Sequence, residues 1–434
     1  MASARESAFE ILQKMERDRA YSTVALRTHF EKNELTRQDV QLASALVFGV
    51  TERKLSLDYF LSLQLSQPLK KLKPQVLTIL RIGAYQLLYM DKIPPSAAVN
   101  EAVKSVKKNG CAFAAGLVNA VLRKVASFGL QYPKTENKIS DMSIFYSCPE
   151  WLVSHFVTSY GEENAKQILA SAHGAEGLYI SVNTNRISVD ALEQHLALQG
   201  VETERIADLD AALLLKNAGD ITGLYGFAEG LFHVQDYASQ LCCAVLDAQP
   251  GDFLVDCCAA PGGKTFTSAY RMKDTGRILS CDIHPFKTDI ISENAKRLQI
   301  HCVETVCLDA VKLAESVHDA DRVLCDVPCS GFGVIGRKPE IRYKDKSEAD
   351  ALPALQIEIL TSCARMVKKD GILVYSTCTL NPAENEDVCL AFLKAHPEFE
   401  SVLIQGMPFL TVLPDGNHDG FFIAKMKRSC EESL

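Results

Sequence analysis

The sequence predicts a multidomain protein: an all-α N-terminal domain, a small α/β unit, and a C-terminal α/β domain built on a mostly parallel sheet. Three observations carry the prediction. At 434 residues the chain is longer than a single hydrophobic core usually serves. Its first 130 residues repeat apolar positions with the period of a helix. Beyond about residue 231, short apolar runs alternate with helical stretches, the rhythm of a parallel sheet covered on both faces.

The first helix, "ARESAFEILQKMERD", sets Ala8, Ile11, Leu12 and Met15 on one stripe. "DVQLASALVFGVTERKLSLDYFLSLQL" continues in that period. "PQVLTILRIGAYQLLYM" opens with Pro74 at a first-turn position and is apolar nearly all round, as a central core helix would be. "PPSAAVNEAVKSVKKNG" runs from a proline start to a glycine stop, and "AAGLVNAVLRKVASFG" carries basic residues towards its C-terminal end. The polar, proline-containing stretch 130–142 reads as a linker. From 144 to 230 helical patterns mix with strand-like "LYISVNT". Five strands are expected after that, at Phe253–Cys257, Arg277–Cys281, His301–Val306, Arg322–Cys325 and Gly371–Ser376. The expected domains are therefore 1–140, 144–230 and 231–434.

Composition excludes several classes. With 47% hydrophobic and 23% charged residues the chain reads as an ordinary soluble protein. No apolar run reaches the roughly 18 to 20 residues that span a bilayer. The N-terminus has no apolar core of a signal peptide. Fifteen cysteines are scattered without any C-x-x-C spacing, so no metal site is expected and a reducing cytoplasm is the simplest setting. Charge is uneven: residues 1–140 carry 21 Lys and Arg against 12 Asp and Glu, the other 294 carry 25 against 42. A basic module on an acidic body fits a polyanionic partner, nucleic acid first, and equally fits a solvated basic surface.

In open parallel sheets ligands bind at the carboxyl ends of the strands, and each expected strand ends in chemistry. "DCCAAPGGKT" supplies the tail of a phosphate-binding P-loop, but the first glycine of that loop would be residue 258, which is cysteine. What remains is a tight glycine turn at a helix N-terminus, suited to a carboxylate as well as a phosphate. Asp282, eighteen residues after Lys264, is positioned to accept from both hydroxyls of a ribose, or simply to cap the next helix. Asp309 can reach an adenine amino group or act as a cap. Together the turn and the two acids suit a nucleoside bearing a carboxylate, S-adenosylmethionine.

Gly331–Gly336 spells G-x-G-x-x-G, but it follows the fourth strand and precedes the proline-broken "RKPEIRYKDKSEAD", so it is not a dinucleotide turn. It reads instead as a flexible loop with Arg337, Lys338 and Arg342 nearby to meet phosphates. Cys329 closes the fourth strand and Cys378 the fifth, so both thiols can face one pocket. Carbon 5 of a pyrimidine takes a methyl group only after a nucleophile adds to C6. A carboxyl group hydrogen-bonded at N3 stabilises the charge of that addition, and a base must then remove the C5 proton. Thiolate, acid and base in one pocket define a pyrimidine C5 methyltransferase.

"DCCAAPGGKT", "DVPCSGFGVIGRKPEIRY", "YSTCTLNPAENE" and "DGFFIAKMKR" resemble the Nol1/Nop2/Sun group of RNA cytosine-5 methyltransferases. The first domain resembles a NusB-type RNA-binding module, on "PQVLTILRIGAYQLLYMDKIPPSAAVNEAVKSVKK". The combination is similar to the bacterial Sun/Fmu type, which implies methylation of a cytosine in 16S rRNA by a seven-stranded Rossmann-like catalytic domain; nothing in the sequence pattern demands more than a monomer. By this resemblance Cys378 is the nucleophile, Cys329 acts in product release, and Asp326 contacts the base. Cofactor contacts would come from Cys258, Ala259 and Ala260, then Pro261, Gly262, Gly263 and Lys264, together with Asp282, Asp309 and Asp326. Val327 stands where the family often has alanine, and Gly336 where a basic residue is common, which removes one phosphate contact. The competing expectations are the same chemistry on 23S rRNA or tRNA, and an RNA-binding ribosome-assembly factor without strong catalysis.

Overall fold

The computed structural model describes residues 3–173 and 177–429. The chain divides into two compact units, Met1–His173 with Arg337–Lys344, and Gly174–Gly336 with Asp345–Leu434.

The first unit is helical. Ala8, Ile11, Leu12 and Met15 of the helix Ala4–Asp18 are all buried, as their spacing predicts. The helix Pro74–Tyr89 starts on its proline and buries Val76, Ile79, Leu80, Ile82 and Ala84. Its one arginine, Arg81, is buried as well. Two carboxylates compensate it: Asp58 takes Nε and Nη2 at 2.7 and 2.8 Å, and Glu16 takes Nη1 at 2.7 Å. The helices Pro95–Lys108 and Ala115–Phe128 end at Asn109 and Gly129, close to where the sequence stops them.

The stretch 130–142 departs from expectation. Only its first part is irregular, because Asn137 caps a helix, Lys138–Tyr146, by accepting from Ser140 N at 3.1 Å. Asp141 in the first turn also holds Thr135 through its backbone and hydroxyl. The cap outweighs the polar composition.

The segment Arg337–Lys344 belongs to this unit and overturns one expectation. Arg342 does not meet phosphates: it is 0% exposed. Its Nη1 donates to the carbonyls of Glu52, Tyr146 and Ser147 at 3.2, 3.3 and 3.4 Å, and its Nη2 to Ala172 at 3.1 Å. Those carbonyls finish the helices Arg37–Glu52, Lys138–Tyr146 and Glu150–Ser171. One guanidinium thus satisfies orphan acceptors where three helix dipoles present their negative ends. Glu340 does the converse, taking Ser22 N and Oγ at 3.0 Å each, at the start of the helix Ser22–Lys32. Tyr343 adds a bond from its hydroxyl to Thr51 O at 2.9 Å.

The second unit holds two sheets. The smaller one is antiparallel, in the order β2-β3-β1-β4, with β1 Gly177–Val182, β2 Glu202–Ile206, β3 Leu209–Lys216 and β4 Phe232–Val234. The helix Val189–Leu198, capped by Ser188, packs Leu192 and Leu196 on Ile180, Leu213 and Phe232.

The larger sheet contains β5 Phe253–Asp256, β6 Arg277–Asp282, β7 Val303–Cys307, β8 Ala320–Asp326 and β9 Val367–Thr377. It is completed by β10 Phe399–Val402, β11 Phe409–Val412 and β12 Phe421–Arg428. Its order is β10-β12-β9-β8-β5-β6-β7, and β11 pairs on β12 off that path, so eight strands take part where seven were expected. The five anticipated strands, β5 to β9, are parallel to one another, and β10, β11 and β12 add antiparallel pairs at the β9 edge. Successive residues face opposite cores: Leu254 and Val374 join one, Val255 and Leu373 the other. Both faces are therefore covered, which explains the unbroken apolar runs in the sequence. Among the described residues no helix is long and apolar enough to cross a membrane.

Replacing Arg342 by alanine leaves the Glu52, Tyr146 and Ala172 carbonyls, at three helix ends, without that donor, while Ser147 O keeps the Tyr343 hydroxyl, a loss of about 3–5 kcal/mol. The expected result is a fall of roughly 6–12 °C in the unfolding midpoint of the intact protein. Calorimetry on Arg342→Ala checks it, and an unchanged midpoint contradicts the triple-cap role.

Candidate active site

The strand order reverses between β8 and β5, the switch point where open α/β sheets form a crevice. Two loops leave this point, one after β5 and one after β8, and the loop after β9 lies beside them.

After β5 the chain makes a tight turn. Ala259 N donates to Cys281 O at 2.8 Å and Gly262 N to Ala259 O at 2.7 Å. Gly262 has φ +106°, and a Cβ there would stand 2.4 Å from the Phe266 ring. Only glycine fits, so the turn leads directly into the helix Gly263–Arg271. Cys258 is partly exposed on this turn, and Ala260 and Pro261 form its outer face. Lys264 turns away from any P-loop role. Its Nζ lies 2.7 Å from Asp326 Oδ2 and 5.0 Å from the centre of the Phe421 ring. Burial alone would lower the Lys264 ammonium, but the Asp326 carboxylate outweighs it and holds the group above its ordinary range.

Asp326 is fixed from two sides, since its Oδ1 accepts from Ser376 Oγ at 2.8 Å. Asp282 is nearly buried at the end of β6, accepting from His284 N at 3.1 Å, with Lys287 Nζ at 3.4 Å. Asp309 is partly exposed and caps the short helix Ala310–Leu313 through Val311 N at 3.0 Å. The capping alternative is thus realised there.

Cys329 and Cys378 come together. Their Sγ atoms lie 3.3 Å apart and both residues are partly exposed. The S–H bond to Cys378, then burial, then the charges of Cys378, Glu384 and Asp326 push the Cys329 thiol well up. The loops are tied at several points: Gly333 N donates to Cys378 O at 3.0 Å, and Ser330 Oγ and Thr379 Oγ1 are 2.6 Å apart. A Cβ at Gly333 would stand 2.1 Å from Gly420 O and 2.9 Å from Cys378 O. Gly331–Gly336 is followed by the 3₁₀ turn Pro339–Tyr343 rather than a receiving helix, in agreement with its rejection as a dinucleotide turn.

Sequence reasoning passed over three groups. Asp256, at the end of β5, is wholly buried and bonded to Thr265 Oγ1 at 2.7 Å; burial pushes its carboxyl up to about 7. Ser376 orients Asp326. Glu384, inside "NPAENE", is 0% exposed. No pattern in the sequence distinguishes these residues from ordinary strand-end and loop polar groups.

The residues fit a nucleoside with a carboxylate: a glycine-only cradle opens a helix, and acids stand at the ends of the next two strands. Comparison with known proteins agrees with the architecture. Residues 243–427 match the family model "16S rRNA methyltransferase RsmB/F", residues 2–127 the NusB family, and residues 148–222 the "Methyltr_RsmF/B-like, ferredoxin-like domain". The probable ribosomal RNA small subunit methyltransferase B of Bacillus subtilis is 38% identical over 98% of this chain and 99% of its own. The chain belongs to the ribosomal RNA small subunit methyltransferase B family. A Synechocystis member, also a probable ribosomal RNA small subunit methyltransferase B, is 36% identical over 99% of this chain and 100% of its own. The solved structure of PH0851 covers 98% of each chain with a TM-score of 0.82 at 26% identity. NSun6 from Pyrococcus horikoshii, solved with SFG, shares the fold at a TM-score of 0.60 over 65% of this chain and 99% of its own, at 22% identity. Membership of this family accounts for the NusB-like helices and the Rossmann-like methyltransferase sheet in one chain.

Mild oxidation of the native protein is expected to join Cys329 to Cys378, since 3.3 Å leaves only a small movement to a disulfide. Gly333→Ala should slow that joining about tenfold by separating the loops. Mass spectrometry of the linked peptide after diamide treatment reads both rates, and equal rates contradict the glycine's role.

Proposed function

We propose that this protein transfers a methyl group from S-adenosylmethionine to C5 of a cytosine in 16S rRNA, through a covalent bond between Cys378 and C6. The observation that carries the reading is the thiol pair, 3.3 Å apart, beside a carboxylate held by Lys264 and Ser376. The names of the relatives support small-subunit rRNA as the substrate.

S-adenosylmethionine, when bound, supplies the methyl group, and the glycine turn with Lys264, Asp282, Asp309 and Asp326 would hold it. Cys378 attacks as thiolate: its sulfur bonds to C6, the C5–C6 double bond opens, and the electron pair makes C5 nucleophilic. Asp326, fixed by two partners, faces the base edge and steadies the charge that develops there. After methylation the C5 proton leaves to a base, the C5–C6 double bond re-forms and the sulfur–carbon bond breaks. Cys329, retained as a thiol in contact with the Cys378 sulfur, supports that release. Residues 1–140 and 144–230 are assigned to RNA binding, and the protein to the cytoplasm as a monomer.

Bisulfite sequencing of 16S rRNA from cells lacking the protein should lose one protected cytosine present in the parent; an unchanged pattern overturns the substrate. Cys378→Ala should abolish methylation and leave S-adenosylmethionine binding intact, and comparable turnover rules out this nucleophile. Cys329→Ala should accumulate a protein–RNA adduct that survives denaturing electrophoresis, and its absence during turnover counts against the release role.

A further inference from the structure

The mechanism gives two adjacent thiols different roles, yet nothing in their positions at equivalent strand ends separates them. Glu384 does. Its side chain is wholly buried, and both carboxylate oxygens accept from N–H groups. Oε2 takes Ser330 N at 2.8 Å and Gln356 Nε2 at 2.9 Å, and Oε1 takes Asn381 Nδ2 at 2.9 Å. Three N–H donors and no acceptor around two oxygens form the complement of an anion, and among the described residues no lysine or arginine pairs with it. A carboxylate withdrawn from water persists only when hydrogen-bonded in this way.

The partners divide between the two thiol loops. Ser330 follows Cys329, and Gln356 Nε2 also donates to Pro328 O at 3.0 Å, so the backbone is held on both sides of Cys329. Asn381 lies three residues beyond Cys378. The adjoining Asn385 accepts from Thr377 Oγ1 at 2.6 Å and donates to Thr379 O at 3.0 Å, holding the residues on both sides of Cys378. Tyr375 closes the cluster by donating to Glu384 O at 2.6 Å.

We propose that Glu384 is a positioning residue that separates the roles of the thiols: it locks the Cys329 loop onto the Cys378 loop and, as an anion beside Cys329, leaves the shared proton there and the nucleophilic charge on Cys378. This rests on the reading of Cys378 as the nucleophile. The direction of the Cys329 thiol agrees, since the Glu384 charge adds to the S–H bond and burial that push it up. The other titratable groups facing the pair are Asp326 with its partner Lys264, and Tyr375. Asp326 is compensated by Lys264, whereas Glu384 is met by N–H donors alone. Its charge is therefore the less neutralised of the two carboxylates near Cys329.

Alkylation by iodoacetamide, with peptide mass spectrometry assigning the modified cysteine, tests this without RNA or methyl transfer. In the wild-type protein Cys378 should react faster than Cys329 across pH 6 to 9, and equal rates overturn the proposal. In Glu384→Gln, which keeps the shape and removes the charge, the Cys378-to-Cys329 ratio should fall about tenfold. Glu384→Asp, which keeps the charge, should retain the preference. A folded Glu384→Gln with the wild-type ratio, or a folded Glu384→Asp without the preference, overturns it; should Glu384→Gln not fold, the wild-type and Glu384→Asp ratios decide. Normal C5 methylation with an unchanged ratio sinks this inference alone. Methylation at another atom, with the ratio behaving as stated, sinks the C5 reading and leaves the thiol bias.

Discussion

The parallel pairing of β8 with β9 is the constraint on which the site depends. Its register sets Asp326 opposite Ser376, so the two strands end level and their loops leave side by side. Cys329 and Cys378, 49 residues apart in the chain, become neighbours as a result. On its other side β8 pairs with β5, which brings the glycine turn and Lys264 to the same edge. Shifting either pairing by one residue would point the terminal side chains to the opposite face of the sheet. The chemistry is thus specified by hydrogen bonds made deep in an apolar sheet, several residues away from any reacting atom.

Charges withdrawn from water are treated differently in the two units. In the catalytic unit Lys264 meets Asp326 directly, and Glu384 is met by N–H donors from both thiol loops. Each arrangement fixes a loop as well as satisfying a charge, because removing one partner leaves the other uncompensated in a low-dielectric setting. In the helical unit the Arg342 guanidinium sits among the carbonyl ends of three helices, which provide negative potential. Asp256 shows the other outcome. With Thr265 as its hydrogen-bond donor, burial dominates and the carboxyl moves up towards neutrality.

Membership of the ribosomal RNA small subunit methyltransferase B family places a NusB-type module and a methyltransferase sheet on one chain. The segment after Gly336 shows how the sequence motif and the fold divide. "GFGVIG" stays with the thiol loops, whereas "RKPEIRYK" belongs to the helical unit, although they are continuous in the chain. A motif read as one string therefore divides between two units of the fold. The basic residues of the second half looked like phosphate ligands for that reason, and Arg342 is instead a helix cap.

What the sequence by itself determined was whatever is written as a local period or a fixed turn. The stripe Ala8, Ile11, Leu12, Met15, the core helix from Pro74, the runs that became β5 to β9, and the glycine turn at 262 are of this kind. The reason is that each depends on residues within a few positions of one another. Tertiary structure alone decided the rest. It added β10 to β12 to the sheet edge, buried Arg342 and gave Glu384 its partners. Those outcomes depend on donors and acceptors tens to hundreds of residues away, and the fate of a lone polar side chain is set by which of them the fold brings within hydrogen-bond reach.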